Sequence, residues 1–381
     1  MKATRLVRAS VFAVLLSFFL LPRAAHATSC TVVAGINFYP SINDALFAIG
    51  TGPGTIFVTG TCSESVQITN ARSITIAGFG GASIVGPGSD AFDILLSQDI
   101  NLENLDISTT GFGGGVNISD ASEVHIIGCN IHDNQSVGVD ADTGSIVFLR
   151  NTIIQNNTPN DGLDVIDNSK AQLNGSTVQN NGDPVAGTVG VFVARNSVVV
   201  FRQTNLIQNN ANIGILARNL SNVIFSAGAT TIRGHLSDGI VLQEGSHLQL
   251  SSAGTVIEGN GTSCPLDSSC GGIFATQNST LDLTTGTITG NQGSGVSVQQ
   301  GANVQLRDAT VSNNSGDGVH IQWISIGSFL SSSSTTITGN GGKSVFCDTT
   351  SLALGDLSGF SNISCAQIAR PNGPPRPGKV L

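Results

Sequence analysis

The sequence predicts an all-β protein, a right-handed parallel β-helix of about eleven coils with a helical cap at its N-terminal end. Three observations carry this. An apolar residue followed three positions later by Asn recurs at Ile131/Asn134, Ile154/Asn157, Val178/Asn181, Ile207/Asn210, Ile257/Asn260, Ile288/Asn291, Val311/Asn314 and Ile337/Asn340, with His235 taking the Asn place after Ile232. Soon after each comes Gly with an apolar residue, as in Gly115-Val116, Gly138-Val139, Gly162-Leu163, Gly190-Val191, Gly214-Ile215 and Gly318-Val319. Between the markers run short alternations such as Val139-Asp-Ala-Asp142 and Ile146-Val-Phe-Leu149, which leave no room for a helix.

The usual spacing of the markers is 23 to 25 residues, and longer copies carry insertions between Asn and Gly, at 182–189 and 261–271. One unit of three short strands cannot bury its own apolar side. Stacked in parallel, the units share one core, and each strand bonds to the coils above and below. About eleven coils at ~4.8 Å make a rod of roughly 50 Å. Asn repeated at one turn position can form a ladder of amides along the stack.

The elements follow in order. Residues 1–27 read as a secretory signal: Lys2, Arg5 and Arg8 precede an apolar run from Val11 to Leu21, and Ala25-His-Ala27 offers a cleavage site. A minor alternative is a lipoprotein acylated at Cys30. Residues 28–90 hold the N-terminal cap and first coils, where Ser41-Ile-Asn-Asp44 followed by Ala-Leu-Phe47 predicts a capped amphipathic helix. The repeats run over 91–343, a C-terminal cap over 344–366, and a Pro-rich flexible tail over 367–381. Seven cysteines in an exported chain suggest disulfides, placed as Cys30–Cys62, Cys264–Cys270 and Cys347–Cys365. Cys129 is left as a buried thiol.

The order Ser41-Ile-Asn-Asp-Ala-Leu46, Gly54-Thr-Ile-Phe-Val58, Cys62-Ser-Glu-Ser-Val-Gln-Ile68 and Ser73-Ile-Thr-Ile-Ala-Gly78 resembles the first coils of pectin-lyase-like β-helix proteins. That resemblance implies extracellular polysaccharide lyases, hydrolases, esterases or epimerases, and equally non-catalytic adhesins.

Without residues 1–27 the chain has 12 basic against 25 acidic residues, a net of −13, which argues against nucleic acid and anionic lipid as partners. No segment after the signal is apolar enough to span a membrane, so a secreted or cell-surface location is expected. The partner expected is a polysaccharide or cell-surface glycan.

Aligning the coils by their Gly yields a column of outward side chains two residues later: Asp93, Asn117, Asp140, Asp164, Phe192, Leu216, Val241, Phe274, Ser297 and His320. Asp140 and Asp164 should stack ~4.8 Å apart, with Asp142 and Asp167, and also Asp120 and Asp161, close by. Stacked carboxylates repel unless they share a proton, hold Ca²⁺ or lie next to Arg. Arg195 and Arg218 are expected to flank the column in the following two coils. Asp140 and Asp164 are therefore the candidate catalytic and Ca²⁺-binding pair, with Arg195 and Arg218 assisting proton removal. Asp93, Asn117, Asp142, Asp167 and Phe192 are the candidate substrate contacts. The activity expected is binding of, or action on, an acidic polysaccharide, as a Ca²⁺-dependent lyase or a glycoside hydrolase.

The rival expectation is a non-catalytic surface, adhesion or structural rod whose insertions make the contacts. Asn-Thr-Asp, Asp-Asp and Gly-His-Gly elements of polygalacturonases are absent, as is the paired-Arg segment of many pectate lyases. Acidic side chains on a solvated face of an acidic protein also need no further purpose.

Overall fold

A computed structural model describes residues 30–264, 270–330, 334–365 and 367–368. The expected signal and its cleavage site, the middle of the second insertion and most of the expected tail lie outside the described residues.

The strands stack into a parallel β-solenoid with one sheet of 13 strands and one of 26. The smaller sheet takes one strand per coil, from Val66–Thr69 to Ile363–Ser364. The larger takes the other two, such as Ile146–Arg150 and Ile153–Gln155, and begins with an antiparallel hairpin of Thr31–Ala34 and Asn37–Tyr39. Thirteen rungs make about twelve turns, slightly more than expected. The difference lies at the C-terminal end. Strands Val345–Cys347, Leu352–Gly355 and Ile363–Ser364 in the segment expected as a plug pair in parallel with their predecessors.

Alternation explains the core. In Val139–Ala141, Val139 and Ala141 point inward and are fully buried while Asp140 points out. Repeated in every coil, this builds one continuous file of Val, Ile and Leu. The single helix among the described residues, Ile42–Ile49, starts where predicted, with Ser41 Oγ accepting from the Asp44 N–H at 3.0 Å. Its Ile42, Ala45 and Leu46 join the same core.

The amide ladder forms. Nδ2 of Asn134 donates to Oδ1 of Asn157 at 2.7 Å, Asn157 to Asn181 at 2.9 Å, and Asn181 to Asn210 at 3.1 Å. It resumes from Asn260 through Asn291 and Asn314 to Asn340. Between these runs stands the fully buried His235, whose Nδ1 accepts from the Asn210 N–H at 3.2 Å and whose Nε2 faces the Ile207 carbonyl at 3.2 Å. Burial lowers its pKa to about 4.

All three expected disulfides are present. Cys129 is buried and unpaired, and burial pushes its thiol up to about 11, as befits a core group rather than a nucleophile.

Candidate functional site

The outward column stays in register along the 13-stranded sheet. Asp93 pairs with Asn117, Asn117 with Asp140, Asp140 with Asp164, and Asp164 with Phe192. The file continues through Leu216, Val241, Phe274 and Ser297 to His320. Solvation is uneven along it, since Val241 and Ser297 are covered although they point away from the core.

A second set of aspartates, one residue before the marker position, holds neighbouring coils together. Asp90 accepts from the Gly114 N–H at 2.6 Å, Asp238 from Gly271 at 2.8 Å, and Asp317 from Lys343 at 2.5 Å. Asp161 accepts likewise from the Val189 N–H, at the end of the 182–189 insertion. These carboxylates are structural on one oxygen. At Asp161 and Asp317 the other oxygen meets the column residue three positions on, because a carboxylate accepts through both, whereas at Asp238 it accepts from the Ser237 hydroxyl.

At Asp161 that contact creates the acid cluster. Asp161 and Asp164 interact through their side chains, an interaction that raises Asp164 and lowers Asp161. Burial, then the nearby charges of Asp161 and Asp140, hold Asp164 well above the usual carboxylate range. Asp161 is raised by burial, opposed by the Val189 N–H, the Asp164 bond and the charge of Arg218. Asp140 is pushed up to about 6, by burial first and then by Asp142, Asp90, Asp167 and Asp161. One Oδ1 each of Asp140, Asp142 and Asp164 is buried with no hydrogen-bond partner.

Phe192 continues this column, and the Arg218 guanidinium lies over its ring, 4.7 Å from the centroid. Arg218 thus faces Phe192 and Asp161 together. Arg195 goes elsewhere: it sits in the turn with φ of 57° and pairs with Asp167 at 2.7 Å, both well exposed. Asp93 and Asn117 satisfy each other at 2.9 Å. The structure therefore gathers Asp140, Asp142, Asp161, Asp164, Phe192 and Arg218, and leaves Arg195 paired with Asp167 at the turn corner.

Unpartnered buried oxygens on Asp140, Asp142 and Asp164 are what a cation would satisfy. Their spacing is not that of a formed cage. Among the described residues, the only three such ligand atoms within 4.8 Å of one another belong to Cys30, Cys62 and Glu64, and those sulfurs are already joined.

Residues 56–202 and 185–354 match the family described as the right-handed β-helix region. The chain belongs to that family. The match agrees with the right-handed β-helix fold that the resemblance of the first coils implies. Among solved structures, the A-module of the Azotobacter vinelandii mannuronan C-5 epimerase AlgE6 shares the β-helix fold at a TM-score of 0.59 and 15% identity, covering 86% of this chain and 94% of the other. The AlgE4 A-module of the same organism gives 0.49 and 15%, over 85% and 93%. The Streptococcus pneumoniae surface adhesin PfbA gives 0.46 and 9%, over 80% and 87%. No curated protein sequence matches this β-helix chain.

Proposed function

We propose that this β-helix protein is a secreted or cell-surface protein that binds an acidic polysaccharide along the outward column of its 13-stranded sheet. The observation that carries this is the in-register pair Asp140 and Asp164, outward yet with unpartnered oxygens, beside a guanidinium laid over an aromatic ring. A carboxyl that keeps its proton near pH 6 donates to a uronate carboxylate instead of repelling it. Arg218 supplies the opposite charge, and Phe192 an apolar surface for a sugar ring. The Asp161–Asp164 pair, with Asp164 held well above the usual carboxylate range, is also suited to general acid–base chemistry on a bound uronate. The three disulfides fit an oxidising compartment, and a Cys30 sulfur bonded to Cys62 is unavailable for acylation. The helix Ile42–Ile49 serves this reading as a plug protecting the first coil.

The test is titration with polymannuronate, polygalacturonate and a neutral β-glucan between pH 7 and 5, with unsaturated and reducing ends followed in parallel. The acidic polymers should bind, more tightly as pH falls through 6, and Asp164→Asn should flatten that pH response. Equal binding of the neutral glucan, or none of any polymer, would remove the proposal. Val185, 94% exposed in the first insertion, favours a second reading as an adhesion rod. In that case Val185→Asp abolishes attachment while leaving the acid cluster intact.

A further inference from the structure

The same column carries a second built station, six rungs beyond Asp164. His320 follows Asp317 by three residues, as Asp164 follows Asp161, so the two coils repeat one geometry with a different outward residue. Asp317 Oδ2 lies 2.6 Å from His320 Nδ1, and both side chains are only 16% exposed. The other Asp317 oxygen is held by the Lys343 N–H. The His320 ring is stacked on Phe346, its partner on the next rung, with centroids 4.6 Å apart and planes 24° apart. A carboxylate on Nδ1 fixes the proton there and turns Nε2 into an acceptor. A ring clamped by an acid on one side and an aromatic below has little left to reorganise on binding.

Between the stations the column reads Phe192, Leu216, Val241, Phe274 and Ser297. Four of these five are apolar, and the hydroxyl of the fifth, Ser297, is buried and unpartnered. The face is thus polar at two points, and between them Phe192, Leu216 and Phe274 present partly exposed apolar surface while Val241 and Ser297 are covered. An extended sugar chain suits this arrangement, with ring faces over Phe192, Leu216 and Phe274 and hydroxyls or carboxylates at the stations.

We infer that His320 with Phe346 forms a second polysaccharide contact, engaged by the same chain that occupies the Asp140–Asp164 cluster. This inference rests on the acidic-polysaccharide reading. Six rungs at ~4.8 Å separate the stations by about 29 Å, so a pyranose chain advancing roughly one strand spacing per unit needs about seven units to touch both. Joining two weak contacts in one ligand raises affinity without new chemistry.

The experiment is calorimetric titration with oligomannuronates and oligogalacturonates of three to ten units. The unaltered protein should gain at least about tenfold in affinity between five and eight units and little beyond. His320→Gln and Phe346→Leu should each remove that step while trimer binding at the acid cluster is kept. A step that persists in both variants, or trimer binding with no step in the unaltered protein, overturns the second station and leaves the acid cluster standing. Failure of every oligomer to bind overturns both.

Discussion

A Cβ placed on Gly138 would lie 2.6 Å from Nδ2 of Asn157, the ladder residue that follows it in the chain. The same steric relation recurs between Gly162 and Asn181, and between Gly295 and Asn314. The two repeated markers are therefore one device: glycine leaves the space into which the next amide packs.

From this, Gly138→Ala should destabilise the fold by about 2 kcal/mol or more, because the methyl also meets the Gly162 carbonyl and Ile154. Asn157→Ala should cost about 2–4 kcal/mol, since it strands the Asn134 N–H and breaks the chain of amides on both sides. Denaturant midpoints of both variants check this. Values within 0.5 kcal/mol, roughly a surface-substitution effect, would refute it.

Acid stability should depend on Asp140 in a defined direction. Its folded pKa of about 6 exceeds the ordinary 3.8, so the fold keeps a proton that the unfolded chain has lost. The stabilisation is complete below 3.8 and disappears as pH rises through 6, a change of about 3 kcal/mol. Asp140→Asn should accordingly melt higher than the unaltered protein at pH 7, with the gap closing towards pH 4.

His235 pulls the other way. With a folded pKa near 4 against 6.5, it stays neutral where an unfolded histidine would take up a proton. Its contribution is full above 6.5 and shrinks as pH falls towards 4. His235→Asn, which supplies the amide missing between Asn210 and Asn260, should lose less stability between pH 7 and 5. Melting curves at the two values decide the matter.

The two arginines nearest the site should behave differently. Arg195→Ala removes an exposed pair with Asp167 and should change stability by less than about 1 kcal/mol and glycan affinity not at all. Arg218→Ala uncovers Phe192 and strips the positive charge facing Asp161, so affinity for acidic glycans should fall about tenfold. Equal losses from both would show that only net charge matters.

Much of this was legible residue by residue. Equal offsets from the glycines placed Asp140 opposite Asp164 because a parallel ladder without slippage keeps offsets constant over every coil. Cysteine placement at the two ends and in the second insertion anticipated all three disulfides. The central part of Asp161 is signalled only by the recurrence of Asp-Gly at Asp161, Asp238 and Asp317, a pattern weaker than the column itself. Arg218 stands four residues after Gly214, whereas Arg195 stands five after Gly190. That extra residue moves Arg195 from the sheet face to the corner of the turn.

By itself the sequence determined the repeat, the inward and outward faces and the column of aspartates, because each follows from strand alternation and a constant turn length. Only the tertiary structure decided which carboxyls burial raises, which arginine is already engaged, and how far apart the outward carboxylates of the described residues lie. Those properties depend on burial and on distances between side chains from different coils, and a one-dimensional pattern contains neither.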